Sequence, residues 1–175
     1  SIGALKDCCT RVESGGTPKR SEDTYWNGDI SWLTSGEVRD VIVLDTKEKI
    51  SQIGLENSSA KIWPEFTTVV AMYGATAGQT CLLANPMTAN QACCALIPKE
   101  GYSTFIFITA RNATEDFLGK ASGSAQQNLN KSLVADHPVL LPKADVMRAF
   151  EARLAGNIRL WIQLTKECIT LSALR

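Results

Sequence analysis

The chain has 175 residues, 45% of them hydrophobic, and its 18 Lys and Arg residues balance its 18 Asp and Glu residues. This length and apolar content exclude a disordered tail and predict one domain with a core, or one domain with an appended helix. Zero net charge argues against bulk attraction to a polyanion, so any DNA binding must depend on local clusters. No apolar segment approaches the roughly 20 residues needed to cross a bilayer, so we expect no membrane partner.

The six cysteines include two adjacent pairs, Cys8-Cys9 and Cys93-Cys94, without the spacing of zinc or redox motifs. With His137 as the single histidine, we predict no metal site, and nothing in the sequence indicates a cofactor. Cys93 and Cys94 lie in an apolar run typical of a buried strand, where free cysteine behaves as a small hydrophobe. We therefore expect reduced thiols and a cytoplasmic protein.

The N-terminal part alternates short apolar runs with glycine turns. Residues 5–12 predict a first strand, which Gly15-Gly16 ends. Asn27-Gly28-Asp29 predicts a turn that leads into a strand at residues 30–33. The mixed spacing of residues 50–62 predicts a short helix and a loop.

The strongest β signal lies between residues 66 and 98. Runs at 66–72, 79–84 and 91–97 are separated by glycine or Asn85-Pro86 and predict successive antiparallel strands. The run at 105–109 also favours a strand by propensity. Residues 139–142 predict one more short strand, with Pro142 at its boundary.

From residue 145 the apolar residues follow spacings of three and four, which predicts a long helix with a heptad seam. The seam contains Met147, Phe150, Leu154, Trp161, Leu164, Cys168 and Leu171, with Asn157 as its polar position. A helix of about 30 residues extends roughly 45 Å, so we expect part of it to project or to meet a partner. The alternative is that its apolar side packs on its own domain.

Glycine turns with small polar residues recur between the apolar runs. Glutamine and asparagine can bond an adenine edge in two places, while lysine and backbone N–H groups hold phosphate oxygens. The alternative is that these are ordinary polar turns, some of them capping helices. The segments are Ser14-Gly15-Gly16-Thr17-Pro18-Lys19-Arg20, Trp32-Leu33-Thr34-Ser35-Gly36-Glu37-Val38, Tyr73-Gly74-Ala75-Thr76-Ala77-Gly78, Thr88-Ala89-Asn90-Gln91-Ala92-Cys93-Cys94 and Gly123-Ser124-Ala125-Gln126-Gln127-Asn128-Leu129-Asn130-Lys131.

In this order and spacing the segments resemble the target-recognition domain of type I restriction-modification specificity subunits. The most specific pieces are Ser14-Gly-Gly-Thr-Pro, Tyr73-Gly-Ala-Thr-Ala-Gly with Asn90-Gln-Ala-Cys-Cys, and Gly123-Ser with Asn128-Leu-Asn. The resemblance runs from about residue 5 to the end. It implies an α+β fold: a β-rich DNA-recognition domain at 1–144 and a coiled-coil-type helix at 145–175. It also implies a helix, not a strand, at 105–118.

The resemblance further implies a non-catalytic reader of double-stranded DNA that works with methyltransferase and restriction subunits. Specificity subunits in this family carry two recognition domains joined by paired helices, and each domain reads half of a split target. A chain with one domain and one helix is expected to be a half-subunit or half of a longer protein. A half-subunit is expected to form a homodimer through the helix.

The candidate DNA contacts fall in the same segments. Lys19 and Arg20 are predicted to clamp phosphate, helped by the glycine-loop amides as a small anion-binding nest. Tyr73 either stacks on sugar or caps the core, and glycines 74 and 78 indicate positive φ or close backbone approach. The full set is Thr17, Lys19, Arg20, Ser35, Tyr73, Gly74, Thr76, Gln91, Ser124, Gln126, Gln127, Asn130 and Lys131, of which Gln91, Gln126, Gln127 and Asn130 are the base-edge candidates.

Two other classes of function compete with DNA reading. As an enzyme, the chain offers only weak motifs: Asn85-Pro86-Met87-Thr88 lacks the second proline and aromatic ring of adenine methyltransferases, and Asp40, Asp45 and Glu48 with Lys47 and Lys49 form an ordinary charged stretch. A cysteine nucleophile served by His137 is weaker still, so we expect no catalytic site. The other rival is an assembly or inhibitor protein that does not bind DNA and uses its heptad helix to bind partner subunits.

Overall fold

The computed structural model describes residues 1–39, 41–122 and 129–174. Within them a β-rich part precedes a long C-terminal helix, which confirms the predicted α+β class. The strands are β1 (Ile2–Ala4), β2 (Cys9–Ser14), β3 (Trp26–Leu33), β4 (Val41–Val43), β5 (Glu48–Ile50), β6 (Thr68–Ala71), β7 (Thr80–Leu83), β8 (Thr88–Ala89), β9 (Cys93–Pro98) and β10 (Pro138–Leu140). The helices are α1 (Gln52–Glu56), α2 (Ser103–Asn112), α3 (Thr114–Ser122), α4 (Lys131–Ala135) and α5 (Ala144–Ala173).

The central sheet has the strand order β2-β9-β6-β7-β4, beside a three-stranded sheet β5-β3-β8 and the pair β1-β10. β6 pairs antiparallel with both β7 and β9, whereas β4 pairs parallel with β7. The three strands predicted between residues 66 and 98 are therefore confirmed. They are not a simple series, because β9 returns to β6 and the short strand β8 intervenes.

The inner strands β6, β7 and β9 of the central sheet are buried on both faces, which explains their nearly continuous apolar character. On one face Val69 and Ala95 pack in a cluster with Trp63. On the other face Val70 and Leu96 pack in a cluster that contains residues of α2 and α3. Successive side chains of a strand point to opposite faces, so adjacent residues enter different clusters.

The strand predicted at residues 5–12 is wrong in its first half. Leu5–Cys8 forms a 3-10 turn with Leu5 and Cys8 fully buried, and the strand begins only at Cys9. The turn is held locally, because Asp7 Oδ2 accepts the Ala4 N–H at 2.8 Å. The carbonyl of His137 also accepts the Leu5 N–H at 3.0 Å.

The turn predicted at residues 27–29 is also wrong, because these residues lie inside β3. The register shifts between Trp26 and Ile30, which both pair with Ile50, so the extra residues form a bulge. Asn27 adopts φ 58°, and a Cβ on Gly28 would lie 2.4 Å from Ser51 Cα. The glycine therefore permits close approach of two backbones and not a chain reversal.

Residues 105–109 are helical, so the strand favoured by their propensity is wrong and the helical structure implied by the family resemblance is confirmed. The implied helix at 105–118 is two helices, because α2 ends at Asn112 and α3 begins at Thr114. Ile106 and Ala110 pack towards the central sheet, whereas Phe107 joins a cluster with Ile162 of α5. A helix with apolar neighbours on two sides carries apolar residues almost all round, which resembles a strand pattern over five residues.

Helix α5 spans 30 residues and confirms the long C-terminal helix. The helix packs on the domain as far as Trp161: Met147 is buried, Phe150 contacts Phe105, and Trp161 lies against Phe107. Leu154 is half-buried there. Asn157 is exposed between Leu154 and Trp161. Beyond Trp161 the seam residues are exposed, with Leu164 at 49%, Leu171 at 64% and Cys168 exposed as well. The predicted seam thus divides between a domain-facing half and an exposed half.

Among the described residues, no helix combines the length and the apolar character that crossing a membrane would require.

Candidate nucleic-acid interface

Four of the five glycine-punctuated segments meet at one edge of the central sheet. β2 and β6 end there and β9 begins there, because Ser14 pairs with Cys94 and Ala71 pairs with Cys93. β3 joins the same edge through its parallel pairing with β8, where Leu33 lies opposite Ala89. We call the loops at this edge, residues 14–20, 34–38, 73–78 and 89–92, the loop edge.

Backbone hydrogen bonds join these loops directly to one another. The Gly15 N–H donates to the Cys93 carbonyl at 3.1 Å, and the Gly16 N–H donates to the Ala89 carbonyl at 2.8 Å. The Met72 N–H donates to the Ala92 carbonyl at 2.7 Å. The Asn90 N–H donates to the Leu33 carbonyl at 2.9 Å, next to the 34–38 loop. The four loops are therefore connected through residues in them or directly beside them.

The two N-terminal glycines are required by close packing. A Cβ on Gly15 would lie 2.2 Å from the Asn90 carbonyl oxygen, and one on Gly16 would lie 2.3 Å from the Ser59 carbonyl carbon. The Trp32 indole N–H donates to the Gly16 carbonyl at 2.9 Å. Because the N–H groups of both glycines already donate to carbonyls, the predicted anion-binding nest is wrong at these two positions.

Side chains at the loop edge fall into two groups, those that join loops and those that face outward. Thr76 is 3% exposed and its hydroxyl donates to the Ser35 carbonyl at 2.7 Å, so it joins two loops. The Thr17 hydroxyl donates to Gln91 Oε1, and Gln91 is an exposed residue. Glu37 also holds this region, because Oε2 accepts the Thr34 N–H at 3.1 Å.

The loop between β6 and β7 protrudes at this edge. Gly74 and Gly78 adopt φ 82° and 80°, which confirms the predicted positive φ. Tyr73 is 38% exposed beside Gly74. A partly exposed phenol next to an open glycine can reach a sugar or phosphate, whereas the core-capping alternative would bury the ring.

Lys19 and Arg20 both have carboxylate partners. Lys19 Nζ lies 3.1 Å from Glu22 Oε1 in an exposed pair. Arg20 binds both oxygens of Glu48, with Nη2 to Oε2 at 3.0 Å, and its guanidinium lies over the Trp26 ring. Arg20 therefore has a defined structural contact, whereas Lys19 is an exposed cation at the end of a long side chain.

Asn130 and Lys131 begin helix α4. Asn130 is its N-cap, with Oδ1 accepting the Leu133 N–H at 3.0 Å, so here the helix-capping alternative is confirmed. Lys131 is exposed and lines a groove beside β2, together with Thr10 and Val12. The predicted contacts Ser124, Gln126 and Gln127 lie outside the described residues.

Sequence analysis missed two exposed cations beside the 34–38 loop. Arg39 Nε donates to the Gly36 carbonyl at 3.0 Å, and the Lys47 N–H donates to Glu37 Oε1 at 3.0 Å. No ion pair between described residues includes either side chain. Arg39 follows a polar glycine segment and was identifiable from that position, whereas only the fold brings Lys47 close.

The carboxylates considered for a nuclease centre make other contacts. Asp45 Oδ1 accepts the Ser31 hydroxyl at 2.7 Å and Oδ2 lies 3.1 Å from Lys49 Nζ, and the Ser31 hydrogen bond in particular lowers the pKa of Asp45. Glu48 binds Arg20, and Asp40 lies outside the described residues. Among described residues, no three His, Cys, Asp or Glu side chains are grouped so as to hold a metal. His137 is buried against Phe117.

Comparison with known proteins identifies the family. A model described as the type I restriction modification DNA specificity domain matches residues 2–146. The chain therefore belongs to the family of type I restriction-modification DNA specificity domains, and specificity subunits of these systems are non-catalytic.

Individual relatives agree with this assignment. The type I restriction enzyme MjaIX specificity subunit of Methanocaldococcus jannaschii is 27% identical over 119 residues, 65% of this chain and 27% of the relative. The EcoprrI specificity subunit of Escherichia coli is 30% identical over 95 residues, 53% of this chain and 23% of the relative. This chain thus spans about a quarter of each relative's length.

A solved structure supports the fold. The S subunit of a type I restriction-modification system from M. genitalium superposes with a TM-score of 0.70 at 14% identity, over 99% of this chain and 43% of that chain. The superposition includes α5, because it covers nearly the whole of this chain.

Proposed function

We propose that this chain reads one half of a split DNA target and docks methyltransferase and restriction subunits through the rest of its surface. The observation that carries the proposal is the convergence of four polar glycine segments into the loop edge. The four loops lie between residues 14 and 92 of the sequence, and hydrogen bonds join them into one surface. A DNA groove can contact such a surface as a unit. As a DNA reader, the protein is expected in the cytoplasm.

The loop edge offers both kinds of contact that sequence recognition uses. Gln91 and Tyr73 are exposed residues whose polar groups suit base edges or sugar. Lys19 lies in the first loop, Arg39 and Lys47 contact the 34–38 loop, and Lys131 lies beside β2 at the start of α4. These exposed cations are suited to phosphates. Thr17, Ser35, Gly74 and Thr76 shape the loops, and Arg20 fixes the base of the first loop.

Selection of bound duplexes from a random library tests the proposal. The selection is run with the chain alone and with methyltransferase subunits added. We expect enrichment of a short motif in at least one condition, because local contacts on a neutral protein favour specific over bulk binding. Failure to enrich any motif in both conditions contradicts DNA reading.

Single variants separate the two kinds of contact. Lys19→Ala and Lys131→Ala should each weaken binding to all sequences alike and lower the salt slope by about 1. Gln91→Ala should instead change the preferred base, with a cost of about 1–3 kcal/mol for the selected site. Lys99→Ala is the matched control, because Lys99 follows β9 at the opposite edge of the sheet.

The proposal includes a homodimer through the exposed part of α5. Leu160, Leu164 and Leu171 are about half exposed or more and lie at spacings of four and seven along the helix. Two identical readers related by a two-fold axis would read an interrupted palindrome. Light scattering at about 50 µM should give a dimer mass, and Leu164→Asp should return the monomer. A monomeric parent protein contradicts this part.

The second candidate function is assembly without DNA binding. It is favoured by the exposed α5 residues together with the six ion pairs that engage lysine and arginine side chains among the described residues. Assembly without DNA binding predicts that partner subunits bind the chain while the library selection enriches no DNA motif. Loss of subunit binding in Leu164→Asp with no effect of Lys19→Ala or Gln91→Ala on any DNA would favour it.

A further inference from the structure

Helix α2 has no cap of its own. Tyr102 occupies the N-cap position and makes no side-chain hydrogen bond to the first turn. The first N–H groups of a helix have no carbonyl partner within the helix. Thr104 and Phe105 therefore need an acceptor from elsewhere in the chain.

Glu151 of α5 supplies that acceptor from 46 and 47 residues away. Its Oε1 accepts the Phe105 N–H at 2.8 Å and its Oε2 accepts the Thr104 N–H at 3.3 Å. The residue is 8% exposed, and no ion pair between described residues includes it. Its charge is compensated by the two amides and by the positive end of α2.

Displacing α5 therefore costs free energy on both sides of this contact. A buried carboxylate without hydrogen bonds is strongly unfavourable, and two uncapped amides in a closed space are unfavourable as well. Rotation or sliding of α5 by a fraction of a helical turn would break both hydrogen bonds. Only one position of α5 relative to α2 therefore satisfies both hydrogen bonds.

The neighbouring contacts between the helices are less directional. Phe105 meets Phe150 with ring centroids 6.1 Å apart, and Phe107 meets Trp161 at 6.1 Å. Apolar packing holds the helices together without selecting one register, because it scales with buried area. Charge-assisted hydrogen bonds depend on distance and angle and can select a register.

We propose that Glu151 is a positioning residue that sets the orientation of α5 relative to the recognition domain. Its consequence for DNA rests on the proposed function. In two readers joined through α5, the angle between each domain and its helix determines the separation at which both can engage their half-sites.

Amide hydrogen exchange measured by NMR tests the joint without DNA. In Glu151→Ala the Thr104 and Phe105 amides should exchange at least about tenfold faster. The Ile106 amide, which donates to the Tyr102 carbonyl, should change less. Glu151→Gln keeps one acceptor oxygen, so one of the two amides should stay protected. Unchanged exchange at both amides in Glu151→Ala overturns the proposal.

A distance measurement reports orientation directly. Cys168 on α5 is exposed, and the other five cysteines are buried, so a spin label can be attached there and paired with a second label at Glu56→Cys on α1. We expect a narrow distance distribution in the labelled parent and a broadened or shifted one in Glu151→Ala and Glu151→Gln. Glu167→Gln, a matched exposed position whose carboxylate accepts from Gln163, should leave the distribution unchanged. A distribution unchanged in both Glu151 variants overturns the proposal.

Duplexes carrying two selected half-sites at varied spacing test the consequence. The parent should prefer one spacing, and Glu151→Gln should bind neighbouring spacings with nearly equal affinity, whereas a purely structural loss would weaken all spacings alike. A sharp spacing preference in Glu151→Gln overturns the proposal. If the parent binds no duplex, the proposed function fails, and the exchange and distance measurements alone decide the role of Glu151.

Discussion

Arg20 illustrates how a residue type indicates one role while its surroundings provide another. Its guanidinium carbon lies 3.8 Å from the centroid of Trp26 and 4.7 Å from that of Trp32, and it binds both oxygens of Glu48. An arginine after a glycine turn suggests phosphate binding. Here the same side chain joins the first loop to the three-stranded sheet.

The Arg20–Glu48 pair predicts a specific dependence of stability on pH. The Arg20 hydrogen bond is the main cause that holds the pKa of Glu48 below its ordinary value of 4.5. A carboxylate with a lowered folded pKa stabilises the fold above its unfolded pKa, and this contribution is lost as pH falls through the folded value. After solvent screening we expect about 1 kcal/mol.

Urea denaturation of the parent and of Glu48→Gln measures this contribution. The stability difference should be largest near neutral pH and should shrink below about pH 4.5, because the carboxylate becomes protonated and resembles the amide. Glu65→Gln, at an exposed site without an ion pair to a described residue, is the control. A difference that is constant from neutral to acid pH would mean that Glu48 acts only by its shape.

A second prediction at the residue scale concerns the stability cost of adding a methyl group at Gly15. Gly36 is the matched control. A Cβ on Gly15 would meet two backbone carbonyl oxygens within 2.3 Å, whereas nothing lies nearer than 4.0 Å to a Cβ on Gly36. Gly15→Ala should lower the free energy of unfolding by about 2–3 kcal/mol, since the backbone must move to accept the methyl group. Gly36→Ala should change it by less than about 0.5 kcal/mol. Equal effects in the two variants would contradict the packing argument.

At the scale of elements, two of the short helices begin at a local capping side chain. Asn130 caps α4, where its side chain accepts the Leu133 N–H at 3.0 Å. Ser51 caps α1, where its hydroxyl oxygen accepts the Gly54 N–H at 3.0 Å. Asn130→Ala should cost about 1 kcal/mol in urea denaturation, because one N–H of the first turn loses its acceptor. Asn130→Ser should retain most of this stability. If alanine and serine behave alike, the cap does not stabilise α4.

Elements differ in how much of their structure a local pattern predicts. Helix α5 follows from its spacing of three and four over 30 residues, while β4 and β8 have three and two residues and give no periodic signal. α2 has strong strand formers in its sequence but lies between the central sheet and α5, so burial on two sides outweighs local propensity.

At the scale of the whole molecule, the reactivity of the cysteine thiols measures how well the core excludes solvent. Burial raises the pKa of Cys8 to about 11 and the pKa values of Cys9 and Cys94 to about 12, and it raises the pKa of Cys93 further. Cys168 is exposed. At about pH 8 a colorimetric thiol reagent should therefore modify about one thiol per native chain, because only an accessible thiolate reacts.

Denaturant should release all six thiols, and Cys168→Ser should abolish the native reaction. A second thiol that reacts in the native protein as fast as Cys168 would show that the core opens more readily than its packing indicates.

The sequence alone determined the features that depend on neighbouring residues. These are the three strands between residues 66 and 98, the long helix, the positive φ of Gly74 and Gly78, and the family, whose motifs lie within short segments. Each follows from steric and hydrophobic rules that act over a few residues.

Only the tertiary structure decided which residues from distant parts of the chain are in contact. It brought Gly15 against Asn90, paired Arg20 with Glu48, placed Lys47 beside the 34–38 loop, and directed Glu151 to the start of α2. Such contacts join residues 10 to 75 positions apart in the chain. They arise because packing two faces of one sheet selects among many arrangements that local preferences leave equally favourable.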